Sequence, residues 1–268
     1  MFFSEKREMK LIKKMISGIP NSPISLRNTC LNWLHQDTEK NFNENPELAH
    51  YGKFTYFINS KGYRYKESNE KSDFIMASFG CSYMFGTGLP QEMICSELLA
   101  DKIRKHLNCA VSHFNFAIPG GGNQAMARMV SVISKTINPD LIIVNFTHPH
   151  RREHISNDGN NIFYYSKKQD NADKFPLKNI IDLINPCDDL LQLYMSMDHV
   201  KSVTKSNNIK YLWSHICDSD MDICHSFDKE NYVGILKYVD RARDSTHPGK
   251  ISHQRIFEKY WKKLSKLI

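Results

Sequence analysis

No apolar run in this chain approaches the ~20 residues that a membrane-spanning helix requires. The opening residues, Met1-Phe-Phe-Ser-Glu-Lys-Arg-Glu8, mix charges and lack the unbroken apolar core and small-residue cleavage site of a secretion signal. The seven cysteines are odd in number and irregularly spaced, a pattern of reduced thiols and not of a disulfide framework. Cytoplasm is the compartment these features lead one to expect. Internal repeats and low-complexity tracts are also missing. His148, His150 and His154 with Glu153 form no His-Glu-x-x-His pattern, and Cys217, Cys224 and His225 lack Cys-x-x-Cys spacing, so no metal is expected. Gly120-Gly-Gly122 could present N–H groups to a phosphate. It lacks the Lys-Ser/Thr of a P-loop and the spacing of a dinucleotide fingerprint, so no cofactor is expected either.

What is present fits a globular protein. At 268 residues the chain can form one sizeable α/β domain with decorations, or two small ones, and its 41% hydrophobic content is ordinary. The net charge of +7 is spread out, with concentrations at residues 6–14, Arg151-Arg152 and residues 259–266. The last group belongs to an expected terminal helix whose apolar residues pack while its lysines stay solvated. A basic nucleic-acid-associated protein would bind polyanions in a salt-sensitive way. The scatter of charge does not favour that reading, and no nucleic-acid or membrane partner is expected.

Residues 1–72 read as an N-terminal extension packing on the core, with a helix around Leu26–Leu34 and a strand in Phe54–Asn59. From residue 73 a regular alternation begins. Expected strands at Asp73–Phe79, Val111–Ile118, Leu141–Phe146, Ile209–Ile216 and Ile235–Val239 are separated by helices within residues 92–107, 126–137 and 190–203. Residues 151–185 read as a polar, loop-rich insertion. The pattern predicts a three-layer α/β/α sandwich around a mainly parallel, flavodoxin-like sheet spanning residues 73–268. In such sheets functional groups gather outside the carboxyl ends of the strands. Ser82, Gly120–Gly122, His148–Arg151 and Asp244–His247 all fall just after expected strands.

Those segments carry chemistry. Ser82 sits in a glycine-bounded turn, Gly80-Cys-Ser-Tyr-Met-Phe-Gly-Thr-Gly88, between a strand and a helix. A serine hydroxyl needs a base to accept its proton, and histidine suits that task. Asp244 and His247 lie three residues apart, so one turn could present both, with the carboxylate orienting the imidazole. The plainer reading is that Asp244 caps a turn and His247 is a surface histidine. Arg151 could hold an anionic substrate group, or Arg151-Arg152 could form ordinary salt bridges.

The blocks Gly80-Cys-Ser82, Asn115-Phe-Ala-Ile-Pro-Gly120-Gly-Gly-Asn123 and Asp244-Ser-Thr-His247-Pro248 resemble, in order, those of the SGNH hydrolase superfamily, the GDSL esterases. The resemblance covers roughly residues 73–147 and 235–268. It implies Ser82 as nucleophile, His247 as base then acid, Asp244 as its orienter, and the N–H groups of Ser82 and Gly120 in an oxyanion hole. Two departures stand out. Cys81 replaces the usual aspartate, and the third block's Gly-x-Asn-Asp is absent: Val144-Asn-Phe-Thr-His148-Pro-His-Arg151 stands there instead. Asn123, Asn145, His148 or Arg151 could supply the missing donor, Asn123 first and His148 next; the other role open to Asn123 is a helix N-cap. The resemblance implies a serine esterase removing a small acyl group, such as acetyl, from a polar or carbohydrate substrate. Acyl transfer to another hydroxyl uses the same residues, and a non-catalytic SGNH-like binding module is the rival from another class.

Overall fold

A computed structural model describes residues 19–67, 71–155, 161–165, 185–216 and 228–268. Its centre is a five-stranded sheet of β3 (Phe74–Phe79), β4 (Val111–Asn115), β5 (Leu141–Phe146), β8 (Lys210–His215) and β9 (Tyr232–Ile235). All neighbours are parallel, in the order β4-β3-β5-β8-β9. Counting core strands alone, this is 2-1-3-4-5, the flavodoxin-like order.

The central strands explain why the sheet is covered on both faces. β5 reads Leu-Ile-Ile-Val-Asn-Phe and every residue of it is buried, the near-continuous apolar run typical of parallel strands. Alternate side chains leave a strand on opposite sides. Ala77, Phe79, Ile142, Val144 and Trp213 therefore join one core, with Met126, Met129, Val130 and Ile133 of α4 (Asn123–Thr136) and Leu193, Met197 and Val200 of α5 (Pro186–Ser206). Phe74, Met76, Leu141, Ile143 and Leu212 join the other, with Leu99 and Ile103 of α3 (Cys95–Leu107) and Ile256, Tyr260 and Leu264 of α6 (Lys250–Leu264). Helix pairs thus cover each face, and the expected three-layer sandwich is observed.

Two local expectations are corrected. Residues 26–34 form no helix: Asn28 adopts φ 47°, and β1 (Thr29–Leu31) pairs antiparallel with β2 (Tyr56–Ile58). Pairing with the aromatic strand outweighs helix formation here. Within the expected insertion, β6 (Arg151–Ile155) pairs with β7 (Asn161–Tyr165) as a hairpin. The last core strand ends at Ile235, where it was expected to begin. The segment carrying Cys217, Cys224 and His225 lies outside the described residues, as do residues 166–184.

One buried histidine gives the fold a measurable pH response. His253, in the first turn of α6, is 1% exposed, and its Nδ1 accepts the Cys95 N–H at 3.1 Å. Burial holds its imidazole down to about 3, against ~6.5 in the unfolded chain. Between those values the unfolded chain binds the extra proton, so the contribution is complete above ~6.5 and lost as pH falls toward 3. The contribution is worth up to about 5 kcal/mol. His253→Asn, which keeps an acceptor for Cys95, is expected to flatten the fall in urea-unfolding stability between pH 6.5 and 4; an unchanged slope would refute this assignment.

Candidate active site

Ser82 opens α2 (Ser82–Phe85), a single helical turn that follows β3 directly. Cys81 is its extended N-cap and is buried in the core, so the serine and not the cysteine begins the turn. As the first helical residue, Ser82 has an N–H without an intrahelical acceptor. Gly86, in the left-handed region at φ 77°, ends the turn. The carbonyls left open there are taken by a buried cation: Arg64 Nη1 donates to Phe85 and Gly86 at 3.0 and 2.6 Å, and its Nη2 to Leu89 at 2.6 Å. Asn115 Nδ2, at the end of β4, donates to Met84 O at 3.0 Å. The serine turn is thereby fastened from two sides.

The loop after β9 closes on itself before α6. Arg241 and Pro248 form an antiparallel bridge, and Ala242 N donates to His247 O at 2.8 Å. Ser245 takes φ 61° at the tip. Asp240 secures the base of the loop, accepting from the N–H groups of Ile251 and Ser252 at 2.9 and 2.8 Å; it thus satisfies first-turn donors of α6. Within the tip, the Asp244 carboxylate bonds His247 Nδ1, the Thr246 hydroxyl at 2.6 Å and the His247 N–H at 3.1 Å. Burial would push this 0%-exposed carboxyl up, but its bond to His247, that ring's charge and the Thr246 hydroxyl outweigh it and hold Asp244 below the usual carboxylate range.

The two loops meet. Arg243 N donates to Gly88 O at 3.0 Å, and a Cβ added at Gly88, where φ is 79°, would lie 2.8 Å from Asp244 Oδ1. The Tyr83 and His247 rings stand edge to face at 5.7 Å. Ser82 and His247 are 7% and 8% exposed, which leaves both a narrow access to solvent.

The remaining predicted residues lie in β5 or around the turns that follow β4 and β5. Gly120, at φ 77°, lies in the turn after β4, and a Cβ there would meet nothing within 4 Å, so its backbone borders open space. Asn123 serves as neither N-cap nor free donor: Gly122 is the cap of α4. The Asn123 amide donates to Thr147 O and His148 O at 3.2 and 3.3 Å and accepts from Thr147 N at 2.9 Å. It pins the loop after β5, whose turn closes through Arg151 N to His148 O at 3.1 Å. His148 and Arg151 are half-buried in that turn, and the His148 and His150 rings stack at 5.1 Å. Asn145 points instead to Ser214 Oγ at 2.7 Å. Arg152 is structural, paired with Asp188 and Asp189 at 2.5 and 2.7 Å, and Glu153 pairs with Arg128 at 2.6 Å. A cavity of about 510 Å³ lies elsewhere, between α4 and α5, lined by Arg128, Gln192, Met195 and His199 among others. Its walls carry no group of the Ser82 centre.

Sequence reasoning missed the residues that brace the centre from the N-terminal segment. Asp37, Tyr56 and Arg64 are fully buried polar or aromatic groups touching one or other loop. The one available signal was Arg243, a cation directly beside Asp244 that needs a partner if the loop is buried.

No family model and no curated protein sequence matches the chain. Among solved structures, its fold is similar to that of TesA, at TM-score 0.48 and 13% identity over 72% of this chain and 99% of that one. It is also similar to the psychrotrophic esterase EstA from Pseudoalteromonas sp., at 0.45 and 13% over 73% and 98%. A third is the acetyl xylan esterase AlAXEase, at 0.44 and 16% over 73% and 100%.

Proposed function

We propose that the chain is a serine esterase of the SGNH superfamily, with Ser82 as nucleophile, His247 as general base then acid, and Asp244 as its orienter. The observation that carries this reading is the bond between His247 Nδ1 and the buried Asp244 carboxylate, on a loop packed against the Ser82 turn. With Nδ1–H held by the carboxylate, Nε2 is the free lone pair that accepts the serine proton. Ser82 Oγ attacks the ester carbonyl, and the N–H groups of Ser82 and Gly120 receive the oxyanion. Collapse expels the alcohol, which takes its proton from His247. Water, deprotonated by His247, then attacks the acyl-enzyme and releases the acid.

Asn123 acts in this scheme through its grip on Thr147 and His148, and His148 and Arg151, both in the turn it holds, are the proposed candidates for the third oxyanion donor. Loss of one such donor costs ~2.7–4 kcal/mol of transition-state stabilisation. Because Asn123 is committed elsewhere, a non-catalytic binding module remains the second reading. The proposed substrate is a small acyl ester, acetyl in the first instance, on a polar or carbohydrate molecule, with Arg151 at the rim. A series of p-nitrophenyl esters tests this: kcat/KM is expected to be highest for acetate and to fall with chain length. A maximum at octanoate or beyond would contradict the small-acyl reading, and no turnover of any ester would favour the binding module.

A further inference from the structure

A second network ties the N-terminal segment to both loops. Residues 34–37 form a tight turn, with Leu34 N to Asp37 O at 2.9 Å and Asp37 N to Leu34 O at 3.1 Å. The turn drives Asp37, 0% exposed, against Arg243, 1% exposed. Arg243 donates to the Asp37 carboxylate through Nε at 2.9 Å and Nη2 at 2.6 Å, a two-pronged pairing. The guanidinium is fixed further by Asn32 O at 2.5 Å and by the Trp33 and Phe54 rings, whose centroids lie 4.2 and 3.7 Å from Cζ. The oxygen that takes Nη2, Asp37 Oδ2, also accepts the Tyr56 hydroxyl, whose oxygen accepts the Gly88 N–H at 2.7 Å. A continuous chain thus runs from Arg243, next to Asp244, through Asp37 and Tyr56 to Gly88, just past the Gly86 cap of the serine turn.

We propose that Asp37 is a positioning residue: its turn clamps the acid–base loop to the nucleophile loop and sets the His247 ring against Ser82. This inference rests on the proposed serine-hydrolase reading. A bare stabilising ion pair would not require that one carboxylate hold both loops at once. A displacement of about 1 Å between reacting groups can cost on the order of 10²-fold in rate, so the clamp acts on turnover more than on binding.

The test compares Asp37→Asn with Tyr56→Phe, which keeps the Asp37–Arg243 ion pair and removes the hydroxyl that bridges Asp37 and Gly88. Val200→Ala serves as control, a cavity in α5 remote from both loops. Each is assayed well below its melting temperature, per folded molecule, with p-nitrophenyl acetate. The expected result is a kcat fall of about 10- to 100-fold in Asp37→Asn and a smaller fall in Tyr56→Phe, with KM within threefold and the control unchanged. The Nδ1–H proton resonance of His247 is expected to shift or broaden in the first two variants only. Normal kcat per folded Tyr56→Phe or Asp37→Asn molecule, with an unshifted resonance, would overturn the clamp. If the wild type turns over no ester, the serine-hydrolase reading fails while the resonance still decides whether Asp37 positions His247. If Asp37→Asn does not fold, Tyr56→Phe decides.

Discussion

Ser82→Ala is expected to abolish ester hydrolysis, lowering kcat by at least about 10⁴-fold while leaving the fold intact. The size follows from the chemistry. Without the hydroxyl no acyl-enzyme forms, and what remains is the weak catalysis of binding and oxyanion donors acting on water, ~10³–10⁴ over the uncatalysed rate. The fold survives because other residues hold the turn: Met84 and Phe85 anchor it in the core, and Arg64 and Asn115 bind its carbonyls. Circular dichroism and thermal melting should therefore match the wild type, while release of p-nitrophenol disappears.

Asp244→Asn should be nearly as damaging to turnover, by about 10⁴-fold. An amide facing Nδ1 donates a proton where the carboxylate accepted one, so the imidazole takes the other tautomer. Nε2 then carries the hydrogen and no longer accepts the serine's. KM should change little, since no contact with substrate is lost. The same substitution has a second signature in stability. Asp244 is held below its usual range in the folded chain, so its stabilising contribution is present above ~4 and lost as pH falls through the depressed folded value. The variant should lack that part of the acid-side slope in urea melts taken below pH 4.

Four of the five core strands were legible because each obeys a local rule; β9 was expected to begin where it ends. Leu141–Phe146 is apolar but for Asn145 and bounded by Asn138-Pro139 on one side, and its observed span agrees with expectation to the residue. The helices announce themselves by spacing: Met126, Met129, Val130 and Ile133 all point into one core. Placing Ser82, Gly120, His148 and Asp244 just after strands needed only the alternation of elements. The N-terminal segment obeys no such rule. Its order comes from contacts across some 200 residues, such as Asp37 with Arg243 and Tyr51 Oη with Arg241 O at 2.9 Å, and distance along the chain leaves no periodic trace. Asn123 was misplaced for a related reason. It was expected first as an oxyanion donor and otherwise as a helix cap, and only the fold reveals that the loop after β5 comes within reach of its amide.

The central claim is that Ser82 is activated by the Asp244–His247 pair, and covalent labelling tests it most directly. The protein is incubated with a fluorophosphonate and digested, and the site of added mass is located by mass spectrometry, beside Ser82→Ala and Asp244→Asn proteins. The account predicts stoichiometric modification at Ser82 in the wild type, none in Ser82→Ala, and labelling slowed by orders of magnitude in Asp244→Asn. Modification at another residue, or Ser82 labelling as fast in Asp244→Asn as in the wild type, would contradict it.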